Sequence, residues 1–246
     1  MNDNTKRVMV TGASHGIGRA VARALLVRGD RVVLCARDEG ALMEAAAQDP
    51  QYLSGHRAHV LVADLAGSDA AACEKMVDQA AAMLGGLDAL VGCAGIIRRA
   101  SLDAIAEADL DAQLQVNFRA PLFLSRRAAW HIKRAGGGAI VHISSTLAER
   151  PTAESHVYAA TKAALQSLVR SLAIELAADR VRVNAVLPGV VETRMQAGRS
   201  LSDLAKLHLL GRVGGAEEVA RAAVFLLDEP WITGTQLTID GGLHLA

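Results

Sequence analysis

The chain has 246 residues, with 51% hydrophobic and 21% charged side chains, 26 basic against 26 acidic residues and a mean hydropathy of +0.23. That length and apolar content supply the core of one α/β domain of roughly 200–250 residues and exclude a disordered, collagen-like or low-complexity chain. The balanced charge excludes a global field that would recruit nucleic acid or an anionic membrane, so the expected partners are small molecules and other protein surfaces.

Apolar runs of strand length alternate with longer stretches of helical period, the pattern of repeated βαβ units around a mostly parallel sheet. In chain order the pattern predicts strands over 7–11, 31–36, 58–62, 89–93, 139–143, 181–187 and 236–239. Helices are predicted over 18–28, 39–47, 69–83, 109–135, 155–178 and 216–227, with His56 and His59 at the entry to the third strand. The nearly continuous apolar run over 181–187 suits a strand covered on both faces. No linker or internal repeat divides the chain, so residues 1–246 read as a single domain. The stretch 192–211 interrupts the alternation beyond the sixth strand and is a candidate lid, spanning about 190–211.

The three cysteines (Cys35, Cys73, Cys93) are an odd number, which reads as reduced thiols in a cytoplasmic protein. The first seven residues pass into Val8-Met9-Val10 without the apolar stretch of an export signal, and no apolar run approaches the ~20 residues of a membrane span. The eight histidines form neither a His-Glu-x-x-His helix nor a Cys/His cluster at zinc spacing, so no catalytic metal is expected.

Three motifs can carry chemistry. Thr11-Gly12-Ala13-Ser14-His15-Gly16-Ile17-Gly18 closes the first strand and opens the first helix. Its glycines permit a tight turn, and the helix N-terminus offers unpaired N–H groups to a pyrophosphate; the same glycines would also serve plain helix-on-strand packing. Tyr158 and Lys162 stand four apart in a predicted helix, so the ammonium can sit near the phenol and stabilise phenolate. Ser144 and Ser145 follow the fifth strand, where parallel sheets place ligands and where a hydroxyl can donate to a carbonyl oxygen as charge develops on it. Asn117, in a mostly apolar helix, needs partners for a buried amide.

Taken together and in this order, the Gly-rich turn, Gly92-Cys93-Ala94-Gly95, Asn117, Ser145, Tyr158-x-x-x-Lys162 and Pro188-Gly189 resemble the short-chain dehydrogenase/reductase family, over nearly the whole chain. The resemblance implies a Rossmann-type doubly wound α/β fold with a seven-stranded sheet, a single dinucleotide-binding catalytic domain, and hydride transfer between NAD(H) or NADP(H) and a carbonyl or alcohol. It implies Tyr158 as proton donor or acceptor and Ser145, thirteen positions earlier, as the holder of the carbonyl. Lys162 would bind the nicotinamide ribose and lower the Tyr158 pKa, and Asn117 would order a water relay to Lys162. The cofactor would contact Gly12, Ser14, His15, Gly16, Ile17, Gly18, Arg37, Asp64, Leu65, Cys93, Ala94, Gly95, Tyr158, Lys162, Pro188, Gly189, Val191 and Thr193, with Asp64 at the adenine or else capping a turn. The sequence departs from the family where Gly92-Cys93 replaces Asn-Asn and where His15 replaces a common Arg or Lys.

At the end of the second strand, Ala36-Arg37 stands where an acidic residue would bind a ribose 2′-OH, so NADP(H) is expected over NAD(H), although Asp38 can offset the arginine. The substrate wall should include Arg98, Arg99, Glu149, Arg150, His156, Arg194, Met195 and Arg199. These arginines suit an anionic sugar acid or keto acid, or they are solvated surface. Gly95-Ile-Ile-Arg98-Arg99 resembles a segment of sugar-acid dehydrogenases. Two further readings stay open: a 3-oxoacyl-thioester reductase, and a cofactor-binding regulatory protein without turnover. The helix over 155–178 is apolar on more than one face, which suits a partner subunit, and the resemblance implies a homodimer or homotetramer.

Overall fold

The computed structural model describes residues 5–47 and 57–246; His56, expected at the entry to the third strand, lies outside the described residues. Seven strands, β1 (Arg7–Thr11), β2 (Arg31–Ala36), β3 (Ala58–Val62), β4 (Ala89–Gly92), β5 (Gly138–Ile143), β6 (Val181–Pro188) and β7 (Gln236–Ile239), form one sheet in the order β3-β2-β1-β4-β5-β6-β7. Every pairing is parallel. The α-helices are α1 (Gly16–Arg28), α2 (Glu39–Ala46), α3 (Ala70–Leu84), α4 (Glu107–Leu114), α5 (Ala120–Arg134), α6 (His156–Leu176), α7 (Leu201–Ala205) and α8 (Ala216–Asp228).

The continuous apolar strands follow from burial on both faces. Side chains alternate across a strand, so Val8, Val10, Val32 and Leu34 enter a core shared with α1, α2 and α8. Their neighbours Met9, Val33 and Cys35 enter a second core shared with α3, α5 and α6. This is the Rossmann-type doubly wound arrangement. Its strand order reverses between β1, which pairs with β2, and β4, which pairs with β1 on the other side. A crevice opens at the carboxyl ends of the strands at such a reversal, and it receives the loops after β1, β2, β3 and β4.

The strands expected over 7–11, 31–36, 58–62 and 236–239 form over those residues. The helix expected over 109–135 is instead α4 and α5 joined by a π-helical turn, Gln115–Arg119. A π turn widens the helix by one residue and turns a side chain that an α-helix would aim elsewhere. Here that residue is Asn117, whose amide pairs with the main chain of Ile96. Among the described residues, no helix is long and apolar enough to cross a membrane.

Candidate active site

The crevice is a cleft of about 640 Å³. Of the residues expected to bind a cofactor, it is lined by those of the Gly-rich turn and by Arg37, Asp64, Leu65, Cys93, Ala94, Gly95 and Thr193, but not by Tyr158, Lys162, Pro188, Gly189 or Val191. The turn is built around close backbone approach. Gly12 has φ +65°, and a Cβ there would stand 2.8 Å from Ala94 N; a Cβ at Gly18 would stand 2.2 Å from the carbonyl oxygen of Gly12. Any side chain would therefore separate the turn from the loop after β4, which Thr11 also holds through the Ala94 N–H donating to Thr11 Oγ1 at 3.3 Å. The N-cap of α1 is His15 in extended conformation, with no side-chain cap and no acidic residue in the first turn. The first-turn N–H groups and the positive end of the helix dipole thus face the cleft, a fit for a pyrophosphate. His15 hydrogen-bonds Ser14 Oγ at 3.0 Å, and burial followed by the charge of Arg194 lowers its pKa below the usual value, which favours the neutral ring.

Arg37 lines the cleft just past β2 and is exposed. Asp38 does not pair with it in the structure; its carboxylate accepts from Ala41 N at 3.0 Å as the N-cap of α2. Asp64 caps a turn by accepting from Ala66 N at 3.1 Å, and it also lines the cleft where an adenine contact was expected of it.

Behind Gly95 the structure gathers Asn117, Ser145, Tyr158 and Lys162, all less than a tenth exposed. The 3-10 turn after β5 puts Ser145 there, and α6 carries Tyr158 and Lys162. A Cβ at Gly95 would lie 3.4 Å from both Asn117 Oδ1 and Lys162 Nζ, so this cleft-lining glycine brings the cleft within contact distance of the cluster. Lys162 Nζ donates to the Ile143 carbonyl at 2.9 Å, and Ser144 Oγ donates to the Lys162 carbonyl at 3.2 Å, binding helix to strand end in both directions. Asn117 Nδ2 donates to Ile96 O at 2.9 Å and to Thr161 Oγ1 at 3.1 Å, while its Oδ1 accepts from Ile96 N at 2.9 Å.

The electrostatics differ from the sequence expectation in one respect. The Lys162 ammonium lies 5.7 Å from the Tyr158 ring centroid, yet burial dominates, and the phenol is pushed up to about 12, partly countered by the approach of the Ser145 hydroxyl and the charge of Arg99. Burial likewise brings Lys162 down to about 8. Desolvation penalises the charged form of each group, and spacing in a sequence carries no measure of it.

The departure at Gly92 has a local cause that sequence reading missed. A Cβ at Gly92 would meet Nδ1 of His142 at 2.2 Å. The imidazole, from the adjacent strand position on β5, fills that space; it is 1% exposed and bonded through Nε2 to Ser125 Oγ at 2.8 Å. Thr161 was also missed; it lies one residue before Lys162, and only the π turn brings it to Asn117. Among the described residues, no three His, Cys, Asp or Glu side chains are grouped to hold a metal ion.

The chain is similar to known proteins over nearly its whole length. A family model described as Enoyl-(Acyl carrier protein) reductase matches residues 12–244. A cis-4-hydroxycyclohexanecarboxylate dehydrogenase of Sinomonas cyclohexanicum is 38% identical over 240 residues, covering 95% of this chain and 94% of that protein. A 3-oxoacyl-[acyl-carrier-protein] reductase of Bos taurus is 38% identical over 237 residues, covering 96% and 97%. A crystal structure of a short chain dehydrogenase from Burkholderia cenocepacia in complex with NADP superimposes with a TM-score of 0.90 at 38% identity, covering 97% of each chain. The chain belongs to the short-chain dehydrogenase/reductase family of oxidoreductases.

Proposed function

We propose that this protein is an NADP(H)-linked oxidoreductase acting on the carbonyl or secondary alcohol of a small molecule that bears an anionic group, a sugar acid or keto acid. The observation that carries the reading is the convergence of Ser145, Tyr158 and Lys162 behind Gly95, against a cleft whose glycines leave room for a pyrophosphate. Gly12, Gly16 and Gly18 with the N-terminus of α1 would hold the pyrophosphate, Asp64 and Leu65 the adenine side, and Lys162 the nicotinamide ribose. When bound, the nicotinamide supplies or accepts the hydride.

The rest of the chemistry belongs to the chain. Ser145 donates a hydrogen bond to the carbonyl oxygen, and in reduction Tyr158 gives its hydroxyl proton to that oxygen. Burial holds the phenol at about 12, so it stays protonated at neutral pH, the state that reduction requires. Lys162 stabilises the phenolate left behind, and Asn117 keeps the Ile96 segment against α6 and orders the water path that returns a proton toward Lys162.

Support for the phosphate is Arg37, in the cleft with its neighbour Asp38 engaged elsewhere, together with the NADP complex of the Burkholderia relative. Support for an anionic substrate is Arg99. Arg98 pairs with Asp109 at 3.5 Å and Arg150 donates to Leu243 O, whereas Arg99 has no ion pair within 4 Å among the described residues and feels the like charge of Arg199, countered by Tyr158 and Glu154. Burial and Arg199 together lower its pKa, and a carboxylate would offset that repulsion. The Sinomonas relative is named for a hydroxy-carboxylate. A second reading, a 3-oxoacyl-thioester reductase, is favoured by the Bos taurus relative. The same reading takes the lid as residues 190–211 and the protein as a cytoplasmic homodimer or homotetramer, consistent with free thiols at all three cysteines and with Ile174 82% exposed on α6.

The test is binding of NADPH and NADH followed by turnover of keto acids, neutral ketones and 3-oxoacyl thioesters. Arg37→Ala should weaken NADPH by about tenfold or more and leave NADH unchanged, and Arg99→Ala should raise KM for a keto acid by a similar factor without affecting a neutral ketone. Equal loss for NADPH and NADH, or for both substrates, rejects the corresponding assignment.

A further inference from the structure

Between β6 and α8 the chain leaves the sheet, and its main-chain bonds there come from an unexpected donor set. Val190 O accepts from Gly214 N at 2.8 Å, and Glu192 N donates to Gly214 O at 3.0 Å, so Gly214, just before α8, holds one side of this segment. The Val190 N–H has no main-chain acceptor; it donates to Nε2 of His208 at 3.2 Å. The other ring nitrogen, Nδ1, is 2.9 Å from the carbonyl of Leu204 at the end of α7. A carbonyl can only accept and the Val190 N–H can only donate, so the pair of contacts specifies one tautomer, with the proton on Nδ1 and the lone pair on Nε2. His208 is 4% exposed although Leu207, Leu209 and Leu210 around it are 47%, 64% and 69% exposed. Its ring edge packs over Gly241, where a Cβ would sit 3.6 Å from Cδ2.

Two residues beyond Val191 lies Thr193, whose Cγ2 would be 3.0 Å from a Cβ at Gly16, and Thr193, Arg194 and Met195 line the cleft opposite the Gly-rich turn. We propose that His208 is a positioning residue: its neutral imidazole latches the end of α7 to Val190 and thereby sets Thr193–Met195 against the nucleotide cleft. The proposal rests on the functional reading above for what the cleft binds, and on geometry alone for the latch.

The test uses two variants of the full chain. His208→Phe keeps a ring of similar volume without an acceptor, and His208→Gln keeps an acceptor for Val190 N and a donor for Leu204 O. Hydrogen exchange without nucleotide should show the Val190 amide opening about tenfold faster in the Phe variant, with the amides of 183–187 unchanged, and near-normal protection in the Gln variant. The NADPH dissociation constant, read by fluorescence, should rise about fivefold or more in the Phe variant and return to within about twofold in the Gln variant. Unchanged exchange and affinity in the Phe variant would overturn the proposal, and so would equal damage by Phe and Gln, which would mark a packing role. Should the Phe variant fail to fold, exchange in the wild type decides: Val190 opening together with residues 204–208 supports the latch, and Val190 opening with the β6 core overturns it. A wild type that binds neither NADPH nor NADH would sink the functional reading, while the exchange data still judge the latch.

Discussion

Replacing Gly92 by alanine tests whether the loop after β4 is shaped by its neighbour on β5. The new methyl would stand 2.2 Å from Nδ1 and 2.8 Å from Cε1 of His142, so the ring or the strand must move. The ring has little freedom, being 1% exposed and held to Ser125 Oγ at 2.8 Å. Overpacking of about 1–3 kcal/mol, with about 1 kcal/mol more if the Ser125 bond is lost, gives an expected destabilisation of about 2–4 kcal/mol. His142→Ala alone should cost about 2–4 kcal/mol through its cavity and the stranded serine. In the double variant the methyl enters the space left by the imidazole, so the two costs do not add, and a favourable coupling of about 1.5 kcal/mol or more is expected. Urea unfolding of the wild type, both single variants and the double, at one fixed protein concentration, measures that coupling. Additivity to within about 0.5 kcal/mol would refute the claim that His142 is why position 92 has no side chain.

Three other outcomes are expected. Tyr158→Phe should lower turnover by about a hundredfold or more while nucleotide binding and the unfolding midpoint stay close to wild type, as steady-state rates and a fluorescence titration will show. Gly18→Ala, with its methyl directed at the Gly12 carbonyl 2.2 Å away, should open the turn and weaken nucleotide binding by about tenfold or more, measured by titration. Lys162 is lowered to about 8 in the folded protein from the ordinary lysine value of 10.5, so between those values the unfolded chain binds more protons and stability rises with pH. That rise is at most about 1.4 kcal/mol per pH unit, and it should be missing from Lys162→Met in unfolding measured between pH 8 and 10. Above pH 10 the raised phenol of Tyr158 acts in the opposite direction, because its folded form then keeps a proton that the unfolded form loses.

Much of the scaffold was legible because a strand covered on both faces leaves a mark that needs no partner to be seen. The run at 31–36, apolar after Arg31 and buried through Val32–Cys35, forms as read, and 236–239 also forms as read although its side chains are only partly buried. The order of Gly-rich turn, Ser145, Tyr158 and Lys162 was equally readable, and the chain brings the last three together. What was not readable depends on contacts distant in sequence. The break at Gln115–Arg119 exists because Asn117 is needed opposite Ile96 and Thr161, and apolar period alone does not distinguish a π turn from an α turn. The upward shift of Tyr158 arises from how deeply α6 is buried, and the role of His208 from a loop returning to the end of β6.

The closeness of the bare Gly95 backbone to Lys162 couples what enters the cleft to the charge of the lysine. Gly95 lines the cleft, and the position a Cβ would take there lies 3.4 Å from the ammonium nitrogen of Lys162, so residue 95 puts no side chain between the two. A charge arriving on the cleft side is therefore felt by the lysine as a field before any atom has to be displaced, and at so short a range beside a buried group such a field acts strongly. Occupancy of the cleft is thereby registered in the proton affinity of Lys162, and a methyl at position 95, in ordinary contact with its Nζ, would muffle that signal by standing between the two.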